Sequence, residues 1–162
     1  MSSNSSSKLT SSRLALLLCL LSVSALSGCG GGNPNVPTPV SPVPQTTTTT
    51  TVLIQPTVTG LAPRLGAAFV DFNIPSVGTL DVEFNWTFAS NDVDIYLTTS
   101  TCPSLSALAN GGCTVLASDE SLQKPARLSV NITQSGSARF WAVNFGSSAE
   151  SGSGTIRLTT TR

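Results

Sequence analysis

Histidine is absent from the chain. That absence removes Ser-His-Asp and Cys-His nucleophile systems and the usual imidazole-bearing zinc sites. Charge is also scarce, at 10% of residues against about 25% in an ordinary globular protein. Past residue 28 the acids are Asp71, Asp81, Glu83, Asp92, Asp94, Asp119, Glu120 and Glu150, and the bases are Arg64, Lys124, Arg127, Arg139, Arg157 and Arg162. Acids outnumber bases and no basic cluster exists to release counterions from a polyphosphate, so no nucleic-acid partner is expected. Asp81 and Glu83 fall on one face of a strand and read as a solvated surface rather than an acid and base. The chain is therefore expected not to be an enzyme. Long apolar runs are missing too: the longest, Leu14 to Ala25, falls short of the roughly 20 residues that span a bilayer.

Lys8 and Arg13 precede that run, and Leu26-Ser27-Gly28-Cys29 closes it. The arrangement is that of a secretory signal, and its ending resembles the bacterial lipobox. The resemblance implies cleavage before Cys29, acylation of its sulfur, and attachment of the mature chain to a lipid bilayer. Gly30 rather than aspartate follows the cysteine, which in the sorting rule of enteric lipoproteins implies the outer membrane of a bacterial cell envelope.

Residues 1–28 are thus read as a signal peptide and 29–51 as a linker. Glycines, then prolines at 34, 37, 39, 42 and 44, then a threonine run deny helix and ladder hydrogen bonds and favour an extended, disordered spacer. Residues 52–162 carry the fold. Short alternating apolar stretches are separated by Gly, Pro, Asn and Ser, which predicts an all-β, antiparallel, jelly-roll-like sandwich of about seven or eight strands.

The clearest strand is Thr79 to Phe88, with Leu80, Val82, Phe84, Trp86 and Phe88 on one face. After a turn at Asn91-Asp92, Val93, Ile95 and Leu97 are expected inward, with Asp94, Tyr96 and Thr98 outward. Val52 to Thr59 is expected at an edge because of Pro56. Further strands are expected at Ala67 to Ile74, Thr114 to Ala117, Ala126 to Ile132, Ala138 to Phe145 and Gly154 to Thr160.

Four stretches are similar to the bacterial pre-peptidase C-terminal (PPC) domain. They are Gly60 to Pro63 before a strand ending Ile74-Pro75, Gly78 with the Trp-bearing strand, Asn91-Asp92-Val93-Asp94-Ile95-Tyr96-Leu97, and Gly136 before Phe140-Trp141-Ala142-Val143. The resemblance implies a sandwich without catalytic residues of its own, of the kind appended to secreted hydrolases. No hydrolase precedes it here, so two roles follow: an envelope module binding a glycan or protein ligand, or an accessory acting in trans with a secreted hydrolase or protease.

Three groups of side chains stand out beyond Cys29. Cys102 and Cys113, a close pair in an exported chain, are expected to form a disulfide. Tyr96 and Trp141 could stack on a sugar or peptide from the outer face, or lie sealed beneath the loop between the cysteines. Asp92, Asp94 and Asp119, with Glu120, could converge on Ca²⁺, or Asp92 could merely cap a turn. No other cofactor is expected.

Overall fold

The computed structural model describes residues 44–162. The expected signal segment, Cys29 and the linker up to residue 43 lie outside the described residues.

Strands β1 (Thr48–Ile54) and β2 (Thr57–Leu61) follow one another along the same edge of the last strand, β9 (Glu150–Thr161). Beyond β9 come β4 (Gly78–Trp86) and β7 (Ala126–Ile132), completing the first antiparallel sheet. The second sheet has the order β3 (Gly66–Ile74), β8 (Gly136–Asn144), β5 (Val93–Thr99) and β6 (Val115–Asp119), again antiparallel. Packed face to face, the sheets make a sandwich of nine strands with one short helix, α1 (Leu105–Ala109).

Alternation accounts for the core. Leu80, Val82, Phe84 and Trp86 of β4 are buried against Phe140 and Ala142 of β8 and Ile95 and Leu97 of β5. Phe84 and Phe140 meet with ring centroids 5.5 Å apart. Gly152 in β9 makes this packing feasible, because a Cβ there would come within 2.6 Å of the Phe84 ring. Burying a ring of this size contributes roughly 2 to 3 kcal/mol.

Four expectations are corrected. Among the described residues the strand count is nine, because the anticipated Val52–Thr59 edge strand breaks at Gln55-Pro56 into β1 and β2. The domain starts inside the threonine run rather than at residue 52, since Thr48 to Thr51 pair in register with β9. Threonine suits an edge ladder, and its hydroxyls add bonds such as Thr50 to Thr159 at 2.9 Å. Phe88 is 52% exposed rather than core, because β4 ends at Trp86. Asp94 and Thr98, expected outward and wet, are only 7% and 0% exposed.

For Thr98 the reason is a second, smaller core on the outside of the second sheet. Cys102, Leu108 and Trp141 are buried there together, with Tyr96, Leu105 and Cys113 packed against them. The Cys102–Cys113 disulfide closes the loop that carries α1, whose start is capped by Ser104 Oγ accepting from the Ala107 N–H at 3.1 Å. Arg139 locks the loop from the side: it donates to both Asp71 oxygens, at 2.6 and 2.7 Å, and to the carbonyl of Cys102. The sheet thus buries both faces along β8.

Candidate functional site

Register places Phe69, Trp141 and Tyr96 in one cross-strand row on the outer face of the second sheet. The disulfide loop covers the middle of this row. Trp141 is 3% exposed, and its indole N–H donates to Thr98 Oγ1 at 3.2 Å. Of the two dispositions open to Trp141, the structure has it sealed beneath the loop, so it offers no face to a ligand. Phe69 remains exposed at one end, 4.9 Å from Trp141 between ring centroids and with the Arg139 guanidinium 3.9 Å above it.

At the other end of the row Tyr96 stays half-buried and lines a cleft of about 560 Å³. Leu105 and Ala109 of α1, Val115 at the start of β6, Leu65 before β3 and Phe145 after β8 build its apolar walls, and Glu120 stands among them. No lysine or arginine lines it among the described residues. Leu65, Val115 and Phe145 are each more than two-fifths exposed, so the walls run out onto open surface. The Leu65 N–H donates to the Asn144 carbonyl at 2.8 Å and the Phe145 N–H to the Asp92 carbonyl at 2.8 Å. These bonds hold the two loop residues at the end of β8.

Acids gather behind Tyr96. Its hydroxyl donates to Asp94 Oδ2 at 3.2 Å. Asp94 Oδ1 and Asp92 Oδ1 are buried without a hydrogen-bond partner. Burial, and after it the charge of Asp92, pushes the Asp94 carboxyl up to about 6; Glu120 and Asp119 add to the rise, while the Tyr96 hydroxyl opposes it. Burial and the charge of Asp94 raise the Tyr96 phenol as well. A carboxyl with this environment is costly to ionise.

Asp119, expected beside Asp92 and Asp94 as a Ca²⁺ ligand, has other work. Its Oδ2 accepts from the Arg127 N–H at 2.7 Å and its Oδ1 from the Ser121 N–H at 3.0 Å. Burial would raise its pKa, but those bonds outweigh burial and hold it below the ordinary value. Among the described residues no group of three or more aspartate, glutamate or cysteine side chains stands close enough to hold a metal ion.

Sequence reasoning missed Glu150, which is almost wholly buried. Its Oε1 accepts from the Phe88 N–H at 2.9 Å and from Asn91 Nδ2 at 2.8 Å, and its Oε2 from the N–H groups of Thr87 at 2.9 Å and Ser151 at 3.2 Å. Asn144 Nδ2 ties the neighbouring loops through the carbonyls of Leu61, Ala62 and Ser148. With four donors and both oxygens engaged, Glu150 pins the turn that follows β4. As the sole acid of a Ser/Gly-rich strand it stood out by composition alone.

No family model matches the chain, and no curated protein matches it. Among solved structures, the Yersinia pseudotuberculosis-derived mitogen is similar at 16% identity with a TM-score of 0.41, the match covering 72% of this chain and 86% of that one. PirA is similar at 17% identity with a TM-score of 0.35, covering 76% of this chain and 100% of that one. Neither likeness is close enough to bear on function.

Proposed function

We propose that the chain is a non-catalytic binding module of a bacterial cell envelope, tethered through acylated Cys29 and offering the Tyr96 cleft to a ligand. The observation that carries the reading is the apolar cleft around Tyr96, walled by Leu65, Leu105, Val115 and Phe145. A cleft of several hundred Å³ that is apolar with few polar groups is the usual form of a binding site, and the chain has no histidine to supply a general base.

Placement within the fold supports it. Thr48 pairs with Thr161 and Thr79 with Thr159 at one end of the first sheet, whereas Trp86 pairs with Gly152 at the other. Gly66, Asn144 and Val93 share that second end, where Leu65 and Phe145 open the cleft. A chain tethered ahead of Thr48 therefore presents its cleft at the far end of the sandwich.

The test is retention of the purified chain on immobilised envelope fractions, comparing the parent with Tyr96→Ala and Val115→Asn while circular dichroism monitors the fold. Loss of retention in both folded variants is expected; retention equal to the parent sinks the reading. The anchor is tested separately: metabolic palmitate labelling is expected to mark the parent and not Cys29→Ser, and equal labelling removes the tether.

A further inference from the structure

Charge around the cleft is distributed unlike charge elsewhere in the domain. Asp71 is paired bidentately with Arg139, and Glu83 meets Arg127 through one contact, Oε2 to Nη1 at 2.6 Å. Asp81 Oδ1 takes the Ser129 hydroxyl, and Glu150 takes four donors. The acids at and behind the cleft have less compensation, the Tyr96 hydroxyl on Asp94 being a single donor to one oxygen. Glu120 lines the cleft, Asp94 sits behind Tyr96 with one buried oxygen lacking a donor, and Asp92, whose carbonyl holds Phe145 in place, has another. One acid thus lines the cleft and two more stand behind it, while among the described residues no lysine or arginine lines it.

Resting on the reading of the cleft as the binding site, we infer that its occupant is an extended peptide segment of a partner protein that sets a lysine or arginine beside a bulky apolar side chain. The apolar side chain fills the space between Leu105, Val115 and Phe145, and the cation answers Glu120 and the field of Asp92 and Asp94. A neutral sugar would leave those charges unanswered, and an anionic ligand would be repelled. A free amine has the right charge but would leave the outer walls wet, whereas a chain segment lying along the cleft covers the exposed parts of Leu65, Val115 and Phe145. Main-chain N–H groups of such a segment also supply donors to the Glu120 carboxylate, which lines the cleft.

The experiment is fluorescence anisotropy at pH 7.5 with the full chain in detergent. Its probes are labelled ten-residue peptides in which Lys-Trp or Arg-Phe occupies the centre, together with versions carrying Gln or Glu in place of the base. Fluorescently labelled octylamine serves as a further probe. Basic peptides are expected to bind about tenfold or more tightly than their Glu versions, Glu120→Gln to weaken only the basic peptides by about two- to fivefold, and Val115→Asn to weaken all.

If basic and Gln peptides bind equally and Val115→Asn weakens both, the cleft stands and the inference about charge falls. If the labelled octylamine binds and Val115→Asn weakens it while no peptide binds, the cleft again stands and the peptide is overturned. Binding indifferent to Val115→Asn, or no binding by any probe, overturns both.

Discussion

Replacing Asp94 by asparagine should make the domain more stable at neutral pH, by an amount that the burial of Asp94 sets. The folded carboxyl titrates at about 6 instead of 3.8, so the folded state holds this proton more tightly than the unfolded chain does. Below pH 3.8 both states are protonated and the group costs nothing. As pH rises from there to about 6 the unfolded chain ionises freely while the folded one resists, and stability falls; above 6 the penalty is constant. At 1.36 kcal/mol per unit the ceiling is roughly 3 kcal/mol, and solvent near the cleft mouth reduces it to about 1 to 2. Asparagine removes the charge and keeps an oxygen for the Tyr96 hydroxyl. Urea unfolding of parent and Asp94→Asn, with the disulfide intact, should therefore show a gain of about 1 to 2 kcal/mol at pH 8 and none at pH 3.5. The depressed carboxyls of Asp71 and Asp119 weaken both proteins alike in acid and cancel in the difference. A loss of stability at pH 8 equal to that at pH 3.5 would refute the reasoning, since Asp94 would then be a satisfied structural acceptor.

Reduction of Cys102–Cys113, or Cys102→Ala with Cys113→Ala, should cost about 2 to 3 kcal/mol in urea unfolding through the freed loop. The same change should shift tryptophan emission to the red as Trp141 becomes wet, and unchanged emission would mean the loop covers the indole without the bridge. Glu150→Gln should destabilise by about 3 kcal/mol or more, because its amide turns a donor toward N–H groups that need an acceptor. A neutral result in chemical denaturation would show that water replaces the carboxylate.

Much of the fold was legible because period-two alternation survives wherever one face is core and the other is solvent. Leu80, Val82, Phe84 and Trp86 met that condition, and so did β7, whose bounds agree with those expected. Alternation misled at β5. There Tyr96 and Thr98 of the polar-looking set face a small core contributed by a loop, and strand pattern alone contains no information about what a later loop will cover. Leu105 and Leu108, between two cysteines, were the available signal. The threonine run misled in the opposite sense: without apolar residues it looked like spacer, yet an edge ladder needs only backbone bonds. Tyr96 was legible as an outward aromatic from its isolation on a polar face. Leu65, Val115 and Phe145 were not, because each is a single exposed hydrophobe at the end of a different strand and only the fold brings them together.

Thr47 and Arg162 exchange backbone hydrogen bonds at 2.8 and 3.0 Å, and β1 then runs antiparallel along β9 away from that point. If, as proposed, the head is tethered ahead of Thr47 and a ligand seated at the opposite end is pulled, the tension acts lengthwise along this pair. Sliding would require the rungs between β1 and β9 to break together, whereas a pull on Arg162 directed away from Thr47 would peel them one at a time. The same seam would then be tough in service and weak when levered sideways, a mechanical asymmetry that single-molecule stretching along the two axes can measure.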